Sequence, residues 1–161
     1  MRDFSEIRML PNKSGVYCLL GSSVRSPYPA YVGIGTNLRN RVSQHLEYRN
    51  SSVTTGASAV SLDASQVGGC QWWTDPVLED AIRLHAFELV AFDHLNPTLR
   101  SRGGIRSEAR KLSKEGEFRT WAIELLENPS GTVHFPGISE LTKTVQALTE
   151  RVMELERSLQ K

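Results

Sequence analysis

Two short runs rich in Val, Tyr and Leu, residues 15–20 (GVYCLL) and 29–34 (PAYVGI), are joined by a stretch of Gly, Ser and Pro. Such runs separated by turn residues predict a β-hairpin with a longer loop. Side chains alternate across a strand. Val16, Cys18 and Leu20 therefore form one row, and Ala30, Val32 and Ile34 the matching apolar row. Tyr17 and Tyr31 fall in the opposite rows, where they share one face of the sheet.

After the hairpin, Thr36 or Asn37 caps a helix expected to run to about Arg49. Leu38, Val42 and Leu46 repeat every fourth residue as its core stripe, and Arg41 and His45 lie one turn apart beside that stripe. Residues 50–69, dominated by Ser, Thr, Ala and Gly, read as a loop. Cys70 to Thr74, with Trp72 and Trp73, reads as a third strand, with one tryptophan in the core and the other free for a base. Asp75-Pro76 then starts a helix over roughly 76–94. Its residues Glu79, Asp80, Arg83, Asp93 and His94 cluster on one side. Glu88 lies almost opposite them, between Phe87 and Leu89. A carboxylate on the apolar side of a helix is costly unless a cation or several donors meet it.

Asn96-Pro97 ends that helix. A basic segment follows, with Arg100, Arg102, Arg106, Arg110 and Lys111 opposed only by Glu108. One or two helices continue to about Glu127. Asn128-Pro129-Ser130-Gly131 and Pro136-Gly137 bracket a linker, so the expected organisation is a domain over 1–128, a linker over 129–137 and a helix over 138–161. In that last helix Ile138, Val145, Val152 and Leu159 occupy one heptad position, and Leu141, Leu148 and Leu155 the other. β-Branched residues at the first and Leu at the second favour a parallel two-stranded coiled coil. An amphipathic helix folded back on the domain is the alternative.

The 161 residues suffice for one cored domain plus an appendage. A net charge of +1 gives no general case for nucleic-acid binding, which must come from local clusters. Cys18 and Cys70, the only cysteines, form neither a disulfide framework nor a zinc pattern, so a reducing cytoplasmic setting is expected. No run is long and apolar enough to span a bilayer, and no membrane role is expected.

Gly15-Val16-Tyr17, Tyr31-Val32-Gly33, Arg41 ten residues after Tyr31, His45 one turn later, Glu88 and Pro97 together resemble the GIY-YIG nuclease family over roughly residues 10–104. The resemblance implies an α+β fold with a small three-stranded antiparallel sheet flanked by helices, here followed by a coiled-coil helix. It implies a catalytic set of Tyr17, Tyr31, Arg41, His45 and Glu88. In that set Glu88 holds Mg²⁺ or Mn²⁺ and Arg41 binds the non-bridging phosphate oxygens. One of the tyrosines orients or deprotonates water, and His45 relays the proton or holds the tyrosine. Arg39, Arg49, Arg100, Arg102, Arg106 and Arg110 become candidate phosphate contacts.

The expected function is then a metal-dependent endonuclease acting on duplex DNA as a homodimer, of a restriction or phage-defence type. A nuclease for branched or single-stranded nucleic acid, RNA included, stays open. So does a catalytically weak dimeric DNA-binding or scaffold protein, since Arg100 stands where the family often carries Asn. Each residue also has a plainer role: sheet packing for either tyrosine, an ion pair between Arg41 and Glu88, and a solvated helix surface for the arginines.

Overall fold

The two Tyr-bearing runs do pair. In the computed structural model, which describes residues 2–22, 26–50, 62–99 and 104–159, β1 (Gly15–Gly21) and β2 (Tyr28–Gly35) are antiparallel, with Tyr17 opposite Gly33 and Leu19 opposite Tyr31. The register shifts between Leu19 and Leu20, a bulge that takes Ala30 out of the pairing. Strict alternation placed Ala30 in a row with Val32. The bulge instead buries it with Tyr31 in the core on the other face. The expectation for residues 50–69 lies partly outside the described residues; of the remainder, Val67 to Gly69 open β3.

The sheet has four strands, not three, in the order β2-β1-β3-β4. β3 is Val67–Trp73, and β4 is Gly131–His134, within the stretch expected to be a linker. Four residues between Pro129 and Pro136 are too few to show a strand period. β4 exists because β3 offers it a free edge, from Gly69 opposite His134 to Trp72 opposite Gly131. Gly131 is required there, because a Cβ would run into the Trp72 indole. Both tryptophans are buried, so neither is available to a base. Trp73 donates its indole N–H to the Leu126 carbonyl at 3.1 Å.

Helices cover both faces. On one side α1 (Leu38–Leu46), capped by the Asn37 side chain, buries Leu38, Val42 and Leu46 against Tyr17, Leu19 and Trp72. It stops short of the expected end at Arg49, which adopts a left-handed φ of 50°. On the other side α2 (Ala81–Leu95) and α4 (Gly116–Glu127) bury Phe87, Val90, Ala122 and Leu126 against Val16, Cys18, Val32 and Trp73. Proline at its first position gives Pro76–Glu79 a 3₁₀ turn, so the α-helix proper starts anew, with the Asp80 carboxylate capping Arg83 N–H at 2.9 Å. The short α3 (Ser107–Leu112) precedes α4.

The cysteines sit on adjacent strands but in opposite cores, Cys18 toward α2 and Cys70 toward α1. Burial raises both thiols, Cys18 to about 12 and Cys70 well above its usual value.

α5 (Ile138–Leu159) leaves the sheet at Gly137, whose N–H is received by Glu140 Oε2 at 2.7 Å. His134 Nε2 lies 3.4 Å from the same carboxylate. Along α5, Ile138, Leu141, Val145, Leu148, Val152 and Leu155 are each between 38% and 61% exposed. Among the described residues these six positions of the stripe are therefore not packed on the domain.

Candidate active site

β2 is an edge strand, and the chain leaving α2 runs along it: Leu99 N–H donates to Ala30 O at 2.9 Å and Thr98 N–H to Pro29 O at 3.1 Å. At this edge the two helical layers meet in a cleft of about 210 Å³, lined by Tyr31, Ile34, Arg41, His85, Glu88, Gly104 and Ile105. A hollow of about 470 Å³ lies elsewhere, between β1, β3, β4 and the start of α5. Its polar side chains Arg2, His134 and Glu140 are already joined to one another and to backbone carbonyls where α5 begins, so size does not select the site.

Behind the cleft three rings pack together. Tyr17 and Tyr31 have centroids 6.1 Å apart, and His45 lies 5.8 Å from the first and 5.4 Å from the second. The shared face expected from strand parity is therefore real. Gly33 makes the packing possible, since a Cβ there would come within 2.5 Å of Tyr17 Oη and 2.9 Å of the Tyr31 ring. Gly33→Ala must push one ring aside, at an expected cost of about 1–3 kcal/mol in denaturant unfolding. An unchanged midpoint would contradict this packing. Gly35 has the same use one pair further on, where it lets the Arg41 side chain approach β2.

Tyr17 Oη and His45 Nε2 are 2.5 Å apart, and both residues are fully buried. Burial, seconded by the Arg41 charge, drives the His45 ring down to about 4. The imidazole is thus neutral at pH 7, and Nε2 shares a hydrogen bond with the Tyr17 hydroxyl. Burial also raises Tyr17 well above its ordinary value; Tyr31 and Cys70 add to this and Arg41 opposes it. Tyr31 is raised chiefly by burial and further by the Glu88 charge, again against Arg41. Both phenols are therefore neutral in the resting protein. Only Tyr31 lines the cleft, while Tyr17 and His45 back it.

Arg41, half-buried on α1, holds one guanidinium nitrogen on Gln44 Oε1 at 3.1 Å. Glu88, half-buried in the middle of α2, presents its carboxylate to the same cleft. Among the described residues no three His, Cys, Asp or Glu side chains form a metal-ligating cluster. A cation here meets chiefly one carboxylate and would complete its shell with water and substrate oxygens, a donor set that fits a hard divalent ion.

The fold has a counterpart among solved structures. No protein-family model and no curated protein matches the chain. It is similar to the crystal structure of the GIY-YIG N-terminal endonuclease domain of UvrC from Thermotoga maritima, a point mutant bound to its catalytic divalent cation. Identity is 15%, the match covers 60% of this chain and 92% of that one, and the TM-score is 0.41. A superposition at that level carries no functional argument, which must come from this chain's own side chains.

The candidate phosphate-binding arginines separate into groups. Arg39 donates to the Leu10 carbonyl at 2.9 Å and ties α1 to the N-terminal segment. Arg49 is exposed beyond the end of α1. Arg106 and Arg110 are exposed on and beside α3, next to the Gly104-Ile105 wall of the cleft. Arg100 and Arg102 lie outside the described residues. Sequence reasoning missed His85 and Ile105. For His85 the available signal was its place three residues before Glu88 on one helix.

Proposed function

We propose that this chain is a divalent-cation-dependent nuclease that hydrolyses phosphodiester bonds in duplex DNA. The observation that carries the reading is one cleft that gathers a neutral phenol, a guanidinium and a carboxylate from β2, α1 and α2. Arg41 would bind the non-bridging oxygens by charge-assisted hydrogen bonds, strengthening as charge accumulates on them. Tyr31 would orient the attacking water. To take a proton from that water Tyr31 must first lose its hydroxyl proton to solvent, so its raised pKa must fall, and Arg41 already acts in that direction. Tyr17 and His45 keep the Tyr31 ring in place, and His45, held neutral, anchors the Tyr17 hydroxyl instead of carrying a proton. Glu88 would hold a divalent cation, Mg²⁺ or Mn²⁺, which would supply Lewis-acid polarisation of the phosphate and charge stabilisation of the leaving oxygen. Arg106 and Arg110 extend the contact along the backbone.

The reading includes a homodimer. α5 spans about 33 Å at 1.5 Å per residue. Its open stripe has β-branched residues and leucine in the positions that favour two parallel strands, and Arg151 can pair with Glu156 of a second copy. Two-fold symmetry would present two clefts to two strands, which suits a restriction or phage-defence enzyme. Light scattering on the full chain and on a chain ending at Pro136 should give a dimer and a monomer respectively. A monomeric full chain removes this part of the reading.

Cleavage itself is tested on duplex, branched and single-stranded substrates with Mg²⁺, Mn²⁺ or EDTA, using the wild type, Glu88→Gln and Arg41→Ala. Preference for a branched or single-stranded substrate would select a structure-directed nuclease. Cleavage that survives EDTA or both substitutions rejects the mechanism.

A further inference from the structure

α2 brings a second group to the cleft that the mechanism above leaves unused. His85 precedes Glu88 by three residues, so the two side chains leave the helix on neighbouring positions, with Cβ atoms about 5–6 Å apart. Both line the same cleft. His85 Nδ1 lies 2.6 Å from the Ala81 carbonyl, one turn earlier on the helix. A carbonyl oxygen only accepts, so Nδ1 carries the hydrogen and, in the neutral ring, Nε2 carries the lone pair. Tying Nδ1–H to a backbone carbonyl is how metal-bound histidines commonly fix their tautomer and orientation. That carbonyl sits within the helix, where the ordinary i→i−4 ladder already supplies it with a donor. The extra bond is therefore not needed to satisfy the backbone, whereas it does fix the ring.

We propose that His85 Nε2 is a second protein ligand, beside Glu88, for the divalent cation of this cleft, and that it biases the site toward Mn²⁺-like ions over Mg²⁺. An imidazole nitrogen adds affinity for transition ions, while Mg²⁺ prefers oxygen donors, so one such ligand separates the two. The inference rests on the nuclease reading for the presence of a cation at Glu88. Its test does not require cleavage.

Mn²⁺ binding to the full chain, without nucleic acid, is measured by electron paramagnetic resonance and calorimetry, with Mg²⁺ as competitor. His85→Ala should weaken Mn²⁺ binding by about tenfold or more, leave the Mg²⁺ affinity drawn from the competition nearly unchanged, and keep the circular dichroism melt of the wild type. Glu88→Gln should remove both ions. Substoichiometric Mn²⁺ should broaden the His85 ring protons before those of His94, further along α2. Wild-type Mn²⁺ affinity in His85→Ala, sharp His85 signals alongside Glu88-dependent binding, or no Mn²⁺ binding at all overturns the assignment. Cleavage that needs Glu88 but ignores His85 defeats this inference and spares the nuclease reading. His85-dependent Mn²⁺ binding without any cleavage does the reverse.

Discussion

Glu88→Gln is expected to lower phosphodiester cleavage by at least about a thousandfold, a loss of about 4 kcal/mol of transition-state stabilisation. Glutamine keeps the shape of the side chain and removes the charge that attracts a cation. A carboxylate on the apolar side of α2 is costly to desolvate, so nothing in packing alone selects it over the amide. The variant should therefore melt at or above the wild-type temperature while losing activity. Arg41→Ala should fall by about a hundredfold or more through a separate route, the loss of contact to the non-bridging oxygens. Single-turnover rates on one duplex substrate, with thermal melts alongside, measure both effects. Wild-type rates in Glu88→Gln would show that the carboxylate is only a structural partner for the cleft.

The second large effect is on stability in acid. His45 titrates near 4 in the folded protein against 6.5 ordinarily. Between those values the unfolded chain binds a proton that the folded chain refuses. The stabilisation is thus fully present above about pH 6.5, shrinks as pH falls, and is gone below about pH 4. The shift corresponds to about 3 kcal/mol, with a slope approaching 1.4 kcal/mol per pH unit inside the window. Urea midpoints for wild type and His45→Gln at pH 7, 5.5 and 4.5 isolate it. The glutamine variant starts less stable but loses less as the buffer is acidified. Parallel slopes in the two proteins would mean that the buried imidazole is not the group responsible.

Much of this site follows from spacing alone. Strand alternation put Tyr17 and Tyr31 on one face, and helical periodicity put Arg41 beside His45 and turned Glu88 inward. Each of these needs only a local period and the identity of one residue. What was not legible depends on partners distant in sequence. β4 is defined by the exposed edge of β3, because four residues have no readable period of their own. The bulge at Leu19 moved Ala30 to the opposite core, because alternation assumes an unbroken register. Which tyrosine meets the cleft depended on the chain after α2, which closes along β2 and places Ile105 beside Tyr31. Trp72 was expected to be divided from Trp73 in fate, but β4 and Gly131 cover it. His85 went unnoticed because its place three residues before Glu88 gains meaning only once both are seen to line one cleft.

The placement of the two cysteines in opposite cores has a practical consequence. With both thiols buried and held far from thiolate at neutral pH, the chain is silent toward maleimides and disulfide reagents. A cysteine introduced at an exposed position such as Lys143 on α5 becomes the single addressable thiol, with no native residue to remove first. A fluorophore or spin label attached there would report the distance between two copies of α5 in the proposed dimer. The proposed association can thus be tested in solution, with nucleic acid present, on an otherwise unmodified chain.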